Sequence, residues 1–232
     1  MCSDTVSYPP DAGASTFLLT VRGTTIPATL EATRKLHNDT AGAPPSVAGA
    51  RSLGDLSHNV FAPVSDELGG ELLFIDFWNS LAGLGQFFSD KQVQEAAGQL
   101  FSSRDATVWA KAEGFGAFHL MVPSGQAVAG LGVLQVQVTA LDRAAEAFTA
   151  YTAATINRSR GHGIVSHSAW TRVPNPGEEP ANEIVSIDLW TDPGEMSRYY
   201  DLSIGFEHLG PVFAGEPRTS TWMSAPGDWV EW

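Results

Sequence analysis

The chain has 232 residues, 43% of them apolar and 17% charged, which suits one large domain or two smaller ones and excludes a disordered tail protein. Acids outnumber bases 26 to 13, evenly: residues 1–122 carry 13 acids and 7 bases, residues 123–232 carry 13 and 6. A net charge of −13 is repelled by phosphate backbones and anionic lipid, so nucleic acid and membrane surfaces are not expected as partners.

In chain order, residues 1–15 carry the sole cysteine, Cys2, in a Ser/Pro/Asp/Gly-rich stretch that reads as an unstructured arm. One cysteine leaves neither a disulfide framework nor a Cys-based zinc site. No basic segment followed by an apolar one opens the chain, and a cytoplasmic protein is expected. Thr16–Val21 is rich in strand formers, and Pro27–His37 has helical spacing. Two strands follow, at Gly54–Val64 and Glu71–Trp78, with Leu68-Gly69-Gly70 punctuating the loop between them. A helix is predicted over Leu81–Phe101, with Leu84, Phe87, Phe88, Val93, Ala96 and Leu100 in one apolar stripe, and then a strand holding Trp109. Residues 123–130, with Pro123, Ser124 and two glycines, read as a linker. The longest stretch without a polar side chain, Ala127–Leu134, is too short to span a bilayer.

The order then repeats. Val133–Val138 alternates as a strand, Asp142–Asn157 is helical with Asp142 as the expected N-cap, and strands follow at Ile164–Val173 and Glu183–Trp190. A helix is predicted from Pro193 to Phe213, and Trp222 marks a closing strand. Ile75-Asp76-Phe77-Trp78 matches Ile187-Asp188-Leu189-Trp190. Nine and ten residues beyond each tryptophan lie Phe87-Phe88 and Tyr199-Tyr200. Upstream, Leu56-Ser57-His58-Asn59 corresponds to Val165-Ser166-His167-Ser168. The chain therefore reads as an internal duplication of a β-α-β-β-α-β unit: α+β, with two tandem ferredoxin-like units at 16–122 and 131–232.

Strand parity puts Asp76 with Trp78, and Asp188 with Trp190, on one face. If the first pair of strands forms a hairpin centred near Glu67, partners sum to 134, so His58 meets Asp76 and Leu56 meets Trp78. A sum of 355 in the second, near Pro176-Gly177, pairs His167 with Asp188 and Val165 with Trp190. A carboxylate opposite an imidazole fixes its tautomer and raises its basicity, as a general base needs. Tryptophan beside it offers a flat apolar wall. Such a pair is equally a satisfied buried hydrogen bond, and two His with two Asp are also potential metal ligands, although nothing in the spacing brings the copies together. Trp229 and Trp232 suit covering a sheet edge.

The Asp-x-Trp strand ends, the aromatic pairs and the closing tryptophans resemble the dimeric α+β barrel superfamily, in particular its antibiotic-biosynthesis-monooxygenase-like group. The resemblance covers 16–122 and 131–228 and implies that the two units close one intramolecular, pseudo-dimeric barrel, as a monomer or a further homodimer. It implies a pocket between the sheet and helices of each unit for an apolar or aromatic small molecule. The activity implied is cofactor-independent monooxygenation of an aromatic or polyketide-like substrate, with His58 or His167 as base, Asp76 or Asp188 orienting it, and Trp78, Phe87, Trp190 and Tyr199 contacting substrate. A non-catalytic binding protein is the alternative. Haem-degrading relatives need a tryptophan where Phe87 or Tyr199 stands and an iron-ligating histidine roughly ten residues on. Copy one has Ala97-Gly98 there and copy two His208, which leaves His208 as a weak haem candidate; no metal or other cofactor is expected.

Overall fold

The computed structural model describes residues 16–64, 70–120, 122, 127–203 and 206–232. The arm expected at 1–15 and the linker residues 123–126 lie outside them. Contacts divide the chain into two units that do not follow chain order: residues 16–109 pack with 223–232, and residues 110–222 form the other. Residues 110–122, expected in the first ferredoxin-like unit, thus belong to the second unit, and residues 223–232, expected in the second, belong to the first.

The first unit runs β1 (Phe17–Thr25), α1 (Leu30–Asp39), α2 (Pro44–Ser52), β2 (Asp55–Pro63), β3 (Glu71–Trp78), α3 (Leu81–Ser89), α4 (Lys91–Leu100) and β4 (Phe101–Lys111, of which 101–109 fall in this unit). Its strands lie in the order β4-β1-β3-β2, with β3 antiparallel to both β1 and β2. Leu72, Phe74 and Trp78 on β3 join Leu19, Val21, Val60, Leu84, Leu100 and Phe101 in one core. Two elements depart from expectation. The helix predicted over Leu81–Phe101 breaks at Asp90, whose carboxylate accepts from Gln92 N (2.7 Å) and Val93 N (3.3 Å), so capping a new helix wins over continuing the old one. α2 lies in a stretch for which the sequence predicts no element; its prolines stand in the first turn, where no N–H is needed.

The second unit runs β5 (Phe118–His119), β6 (Gly130–Gln137), α5 (Leu141–Gly161), β7 (Ile164–Arg172), β8 (Glu183–Trp190), α6 (Pro193–Asp201), α7 (Phe206–Leu209), a 3₁₀ turn at Gly210–Val212, and β9 (Arg218–Ser224, of which 218–222 fall here). Its strand order is β9-β6-β8-β7-β5. Ala144 and Phe148 of α5 pack on Val136, Ala169 and Ile184. Asp142 is not the N-cap: Ala140 is, without a side-chain bond, and Asp142 sits in the first turn, accepting from Arg143 N at 2.8 Å. The helix expected from Pro193 to Phe213 ends at Asp201; Ser203 takes a left-handed φ of 49°, and Pro211 shapes the 3₁₀ turn beyond. No helix among the described residues is long and apolar enough to cross a membrane.

Candidate active site

The hairpins hold the site, and a β-bulge in each shapes it. Gly54, at φ +105°, turns the chain into β2, and its carbonyl accepts from Asn79 N at 2.9 Å. β2 then pairs Asp55 with Trp78 and Ser57 with Phe77, so Leu56 is the extra residue and points outward, 39% exposed. The pairing of Leu56 with Trp78 expected from the sum of 134 fails at this one step, whereas His58 does face Asp76. The second unit repeats the device: Gly163 O accepts from Thr191 N, Ile164 rather than Val165 stands opposite Trp190, and His167 faces Asp188. The consequence is chemical. Residues three apart would lie on opposite faces of a regular strand, but the bulge brings Asp55 and His58 to the same face, beside Asp76 and Trp78.

In the first unit these groups form a chain of hydrogen bonds. Asp76 Oδ1 is 2.7 Å from His58 Nδ1, and His58 Nε2 is 3.0 Å from His37 Nε2 on α1. His37 Nδ1 lies 3.0 Å from Asn38 Oδ1. The amide of Asn38 is oriented by the C-terminal tail, because its Nδ2 donates to Asp228 O (2.8 Å) and its Oδ1 accepts from Val230 N (3.0 Å). An amide oxygen only accepts, so His37 must carry its proton on Nδ1. Burial and the neighbouring charge of His58 hold the His37 pKa down to about 4, so its Nε2 offers a lone pair. His58 Nε2 therefore donates to His37, and the proton between His58 Nδ1 and Asp76 completes a charged imidazolium. Burial opposes that charge, but Asp76, with Asp55 and Glu231, outweighs it and raises the His58 pKa. In this state His58 has no lone pair to offer, which modifies the simple base expected of it: with Asp76 it is a charged pair in the cavity wall.

The cavity beside the pair measures about 780 Å³, and all the residues that line it belong to the first unit. Phe74, Trp78, Phe87, Phe88 and Trp232 supply flat apolar walls, and His58, Asp76 and Asp55 supply the polar floor. Trp232 was expected to cover a sheet edge. It does so, exchanging backbone hydrogen bonds with His58 (2.7 and 3.2 Å), but its indole also stacks on the His58 ring at 4.7 Å and donates Nε1–H to Asp55 Oδ2 at 3.1 Å. Burial and the negative charge of Asp76 push the Asp55 carboxyl up to about 8, against the opposing pull of His58, the Trp232 N–H and the Ser57 backbone N–H. Asp55, His37 and Trp232 are functional candidates that the sequence reading missed. Only His37 left a usable sign: it stands eight residues after the N-cap of α1, as Phe148 stands eight after that of α5.

The second unit builds the same frame around different contacts. His167 Nδ1 is 2.6 Å from Asp188 Oδ1, but the other carboxylate oxygen accepts from the Tyr200 hydroxyl at 2.7 Å, which in turn accepts from Trp190 Nε1 at 3.3 Å. Burial and the charge of Asp188 raise the Tyr200 pKa, so it remains a neutral donor. Tyr200 reaches Asp188 because Gly132 stands opposite Asp188; a Cβ there would collide with the phenol ring. The first unit has Leu19 opposite Asp76 and Phe88 where Tyr200 stands. His167 lies between the rings of Phe118 and Phe148, both at 6.1 Å, and its buried Nε2 faces no hydrogen-bond partner, since Phe148 replaces His37. Tyr199 is buried on Trp190 (5.2 Å).

The residues around His208 do not fit haem ligation. Its side chain is 44% exposed on the four-residue α7, with Glu207 Oε1 3.9 Å away, and Tyr199, where the resemblance calls for tryptophan, is packed into the core. Among the described residues, no three His, Cys, Asp or Glu side chains cluster to hold a metal ion.

Set beside solved structures, the chain has the fold of the dimeric α+β barrel proteins. It is similar over 94% of its length to an anthrone oxidase-like protein (94% of that chain, 15% identity, TM-score 0.64). It is also similar to a candidate monooxygenase from Lactobacillus acidophilus NCFM (92% of this chain, 97% of that one, 10% identity, TM-score 0.57). A mutant chlorite dismutase from Candidatus Nitrospira defluvii matches as well (92% and 93%, 11% identity, TM-score 0.55). At these identities the likeness establishes the fold alone. No protein-family model and no curated protein sequence matches the chain.

Proposed function

We propose that the protein is a monooxygenase-like enzyme for an aromatic, polyketide-like small molecule, and that the first unit holds its working site. The observation that carries this reading is the aromatic cavity of about 780 Å³ with the buried His58–Asp76 pair in its wall. A cavity of that size takes a compound of two to four fused rings, which the flat walls of Trp78, Phe87 and Trp232 suit. In the reaction class proposed, a ring methylene and dioxygen give a ring carbonyl and water, without flavin or metal. Removing a proton turns such a ring into an electron-rich enolate or phenolate, and the charged His58, fixed by Asp76, stabilises that anion. The names of the anthrone oxidase-like and monooxygenase structures agree with this class.

The chain is read as two fused copies of one ferredoxin-like ancestor, supported by the repeated element order, the paired bulges and the paired His–Asp registers. In this reading the second copy has become structural, its Asp188 occupied by Tyr200.

The test is oxygen consumption with anthrone as probe, comparing wild type with His58→Ala. Turnover by wild type that falls at least about 100-fold in the variant, at unchanged circular dichroism, supports the proposal. Binding of anthrone without oxygen consumption would instead identify a carrier.

A further inference from the structure

Two polar atoms of the first unit are left without partners among the described residues, on side chains paired directly across two strands. Asp55 Oδ1 and Trp78 Nε1 are both buried, and neither has a hydrogen-bond partner among the described residues. Asp55 is 5% exposed and Trp78 fully buried; the two are direct partners across β2 and β3, and both line the cavity. An unmet buried carboxyl oxygen and an unmet buried indole N–H each cost stability unless something supplies the missing bond.

The second unit shows what satisfaction looks like in the same frame. There the position of Asp55 is Ile164, which needs no partner, and the indole of Trp190 donates to the Tyr200 hydroxyl. A phenolic oxygen from the protein itself thus meets the strand-end tryptophan and the neighbouring carboxylate. In the first unit Phe88 stands where Tyr200 does, so the phenolic oxygen is missing, and the residues that carry the unpartnered donor and acceptor both line the cavity.

Resting on the reading of the cavity as a small-molecule site, we infer that Asp55 and Trp78 form a polar subsite for a hydroxyl or enolisable carbonyl oxygen of the ligand, with Asp55 as the group that exchanges its proton. Trp78 Nε1–H donates to the ligand oxygen. In its ionised form, reached as pH rises through about 8, Asp55 Oδ1 accepts the ligand O–H; when the proton moves, the O–H bond breaks, the electron pair stays on the ligand oxygen, and the proton resides on the carboxyl. The groups facing Asp55 set its behaviour: Asp76 on β3 and burial favour its neutral form, while His58 on β2, the Trp232 N–H of the C-terminal tail and the Ser57 N–H favour its anion. The balance lies near 8, where a carboxyl exchanges protons with a phenol at little cost. Proton acceptance is thereby assigned to Asp55, whose buried Oδ1 has no partner among the described residues, and the charge of His58, whose nitrogens are both engaged, stabilises the resulting anion through space.

The experiment is calorimetric titration of wild type, Asp55→Asn and Trp78→Phe with 1-naphthol, 1-methoxynaphthalene and naphthalene. Wild type is expected to bind 1-naphthol at least 10-fold more tightly than 1-methoxynaphthalene, and each variant to reduce that ratio to below 3. Because the proton passes within the complex, difference absorption spectra at pH 9 should show bound naphthol as the naphtholate in wild type and as the neutral phenol in Asp55→Asn. Equal wild-type affinity for the three probes, or an undiminished naphthol preference in a folded Asp55→Asn, overturns the subsite while leaving the cavity as a binding site. Absence of binding by all three overturns the small-molecule reading itself. Should Asp55→Asn fail to fold, the wild-type ratio and Trp78→Phe decide the matter.

Discussion

The two units place a histidine opposite an aspartate in the same register, after the same bulge, one step from the same tryptophan, yet they use the arrangement in opposite ways. In the second, Tyr200 takes the free oxygen of Asp188 and the indole of Trp190, and Phe118 and Phe148 enclose His167. In the first, Leu19 and Phe88 replace Gly132 and Tyr200, His37 replaces Phe148, and Asp55 replaces Ile164. The same backbone thereby exchanges a cluster in which Tyr200 answers the strand-end indole and the facing aspartate for a cavity in which the strand-end indole is unanswered. A His–Asp pair is thus no evidence of chemistry by itself. Both units leave buried polar atoms unpartnered, His167 Nε2 in the second and Asp55 Oδ1 in the first; what distinguishes the two is that a protein hydroxyl answers the strand-end indole only in the second.

The largest expected difference between the units is in the effect of removing the histidine. His58→Ala should abolish anthrone turnover while His167→Ala leaves it within about 3-fold; instead, His167→Ala should lower stability by roughly 1–3 kcal/mol in urea unfolding, since Asp188 loses a partner in a buried site. Equal loss of turnover in both variants would mean that the units share the work and would erase the contrast.

A second difference concerns pH. His37 is kept neutral to about pH 4, while the unfolded chain protonates it near 6.5, so its contribution is complete above 6.5 and is lost as pH falls toward 4. Asp55 runs the other way: folded, it keeps its proton until about pH 8, whereas unfolded it ionises near 4, so stability falls as pH rises between the two. In wild type the two slopes, each at most about 1.4 kcal/mol per pH unit, offset one another between pH 4 and 6.5. Asp55→Asn should leave a stability that rises with pH over that range, and His37→Phe, which copies the second unit, one that falls. Unfolding midpoints measured at pH 4, 5, 6 and 7 decide it; parallel curves for both variants would break the argument.

The smallest effect is expected from Tyr200→Phe, which removes the bond to Asp188 and leaves the Trp190 N–H unmet, at a cost of roughly 1.5–3 kcal/mol. Thermal unfolding measures it, with turnover unchanged. Loss of turnover in this variant would show that the second unit is not merely structural.

Much of the frame was legible in the sequence because strands and turns are local. Alternation and glycine placement located β3 and β8 at the expected residues, and cross-strand sums found both His–Asp pairs. The bulges were not legible, since one looped-out residue at Leu56 leaves no mark in a pattern of period two, and without the bulge Asp55 appears on the wrong face. Nor was the end of the long helix at Asp90, where a local capping bond overrode an apolar stripe that itself suited a continuous helix.

The sequence by itself determined the positions of the central strands, the facing of His58 with Asp76 and of His167 with Asp188, and the aromatic character of what surrounds them. Only the tertiary structure decided which pair is open. That choice depends on residues remote in sequence, His37 from α1, Asn38 held by the tail at Asp228 and Val230, and Trp232 against Asp55, meeting His58 at distances where a proton has a definite owner. Hydrogen bonds and desolvation act over about 3 Å, and no periodicity along a chain records which distant residues come that close.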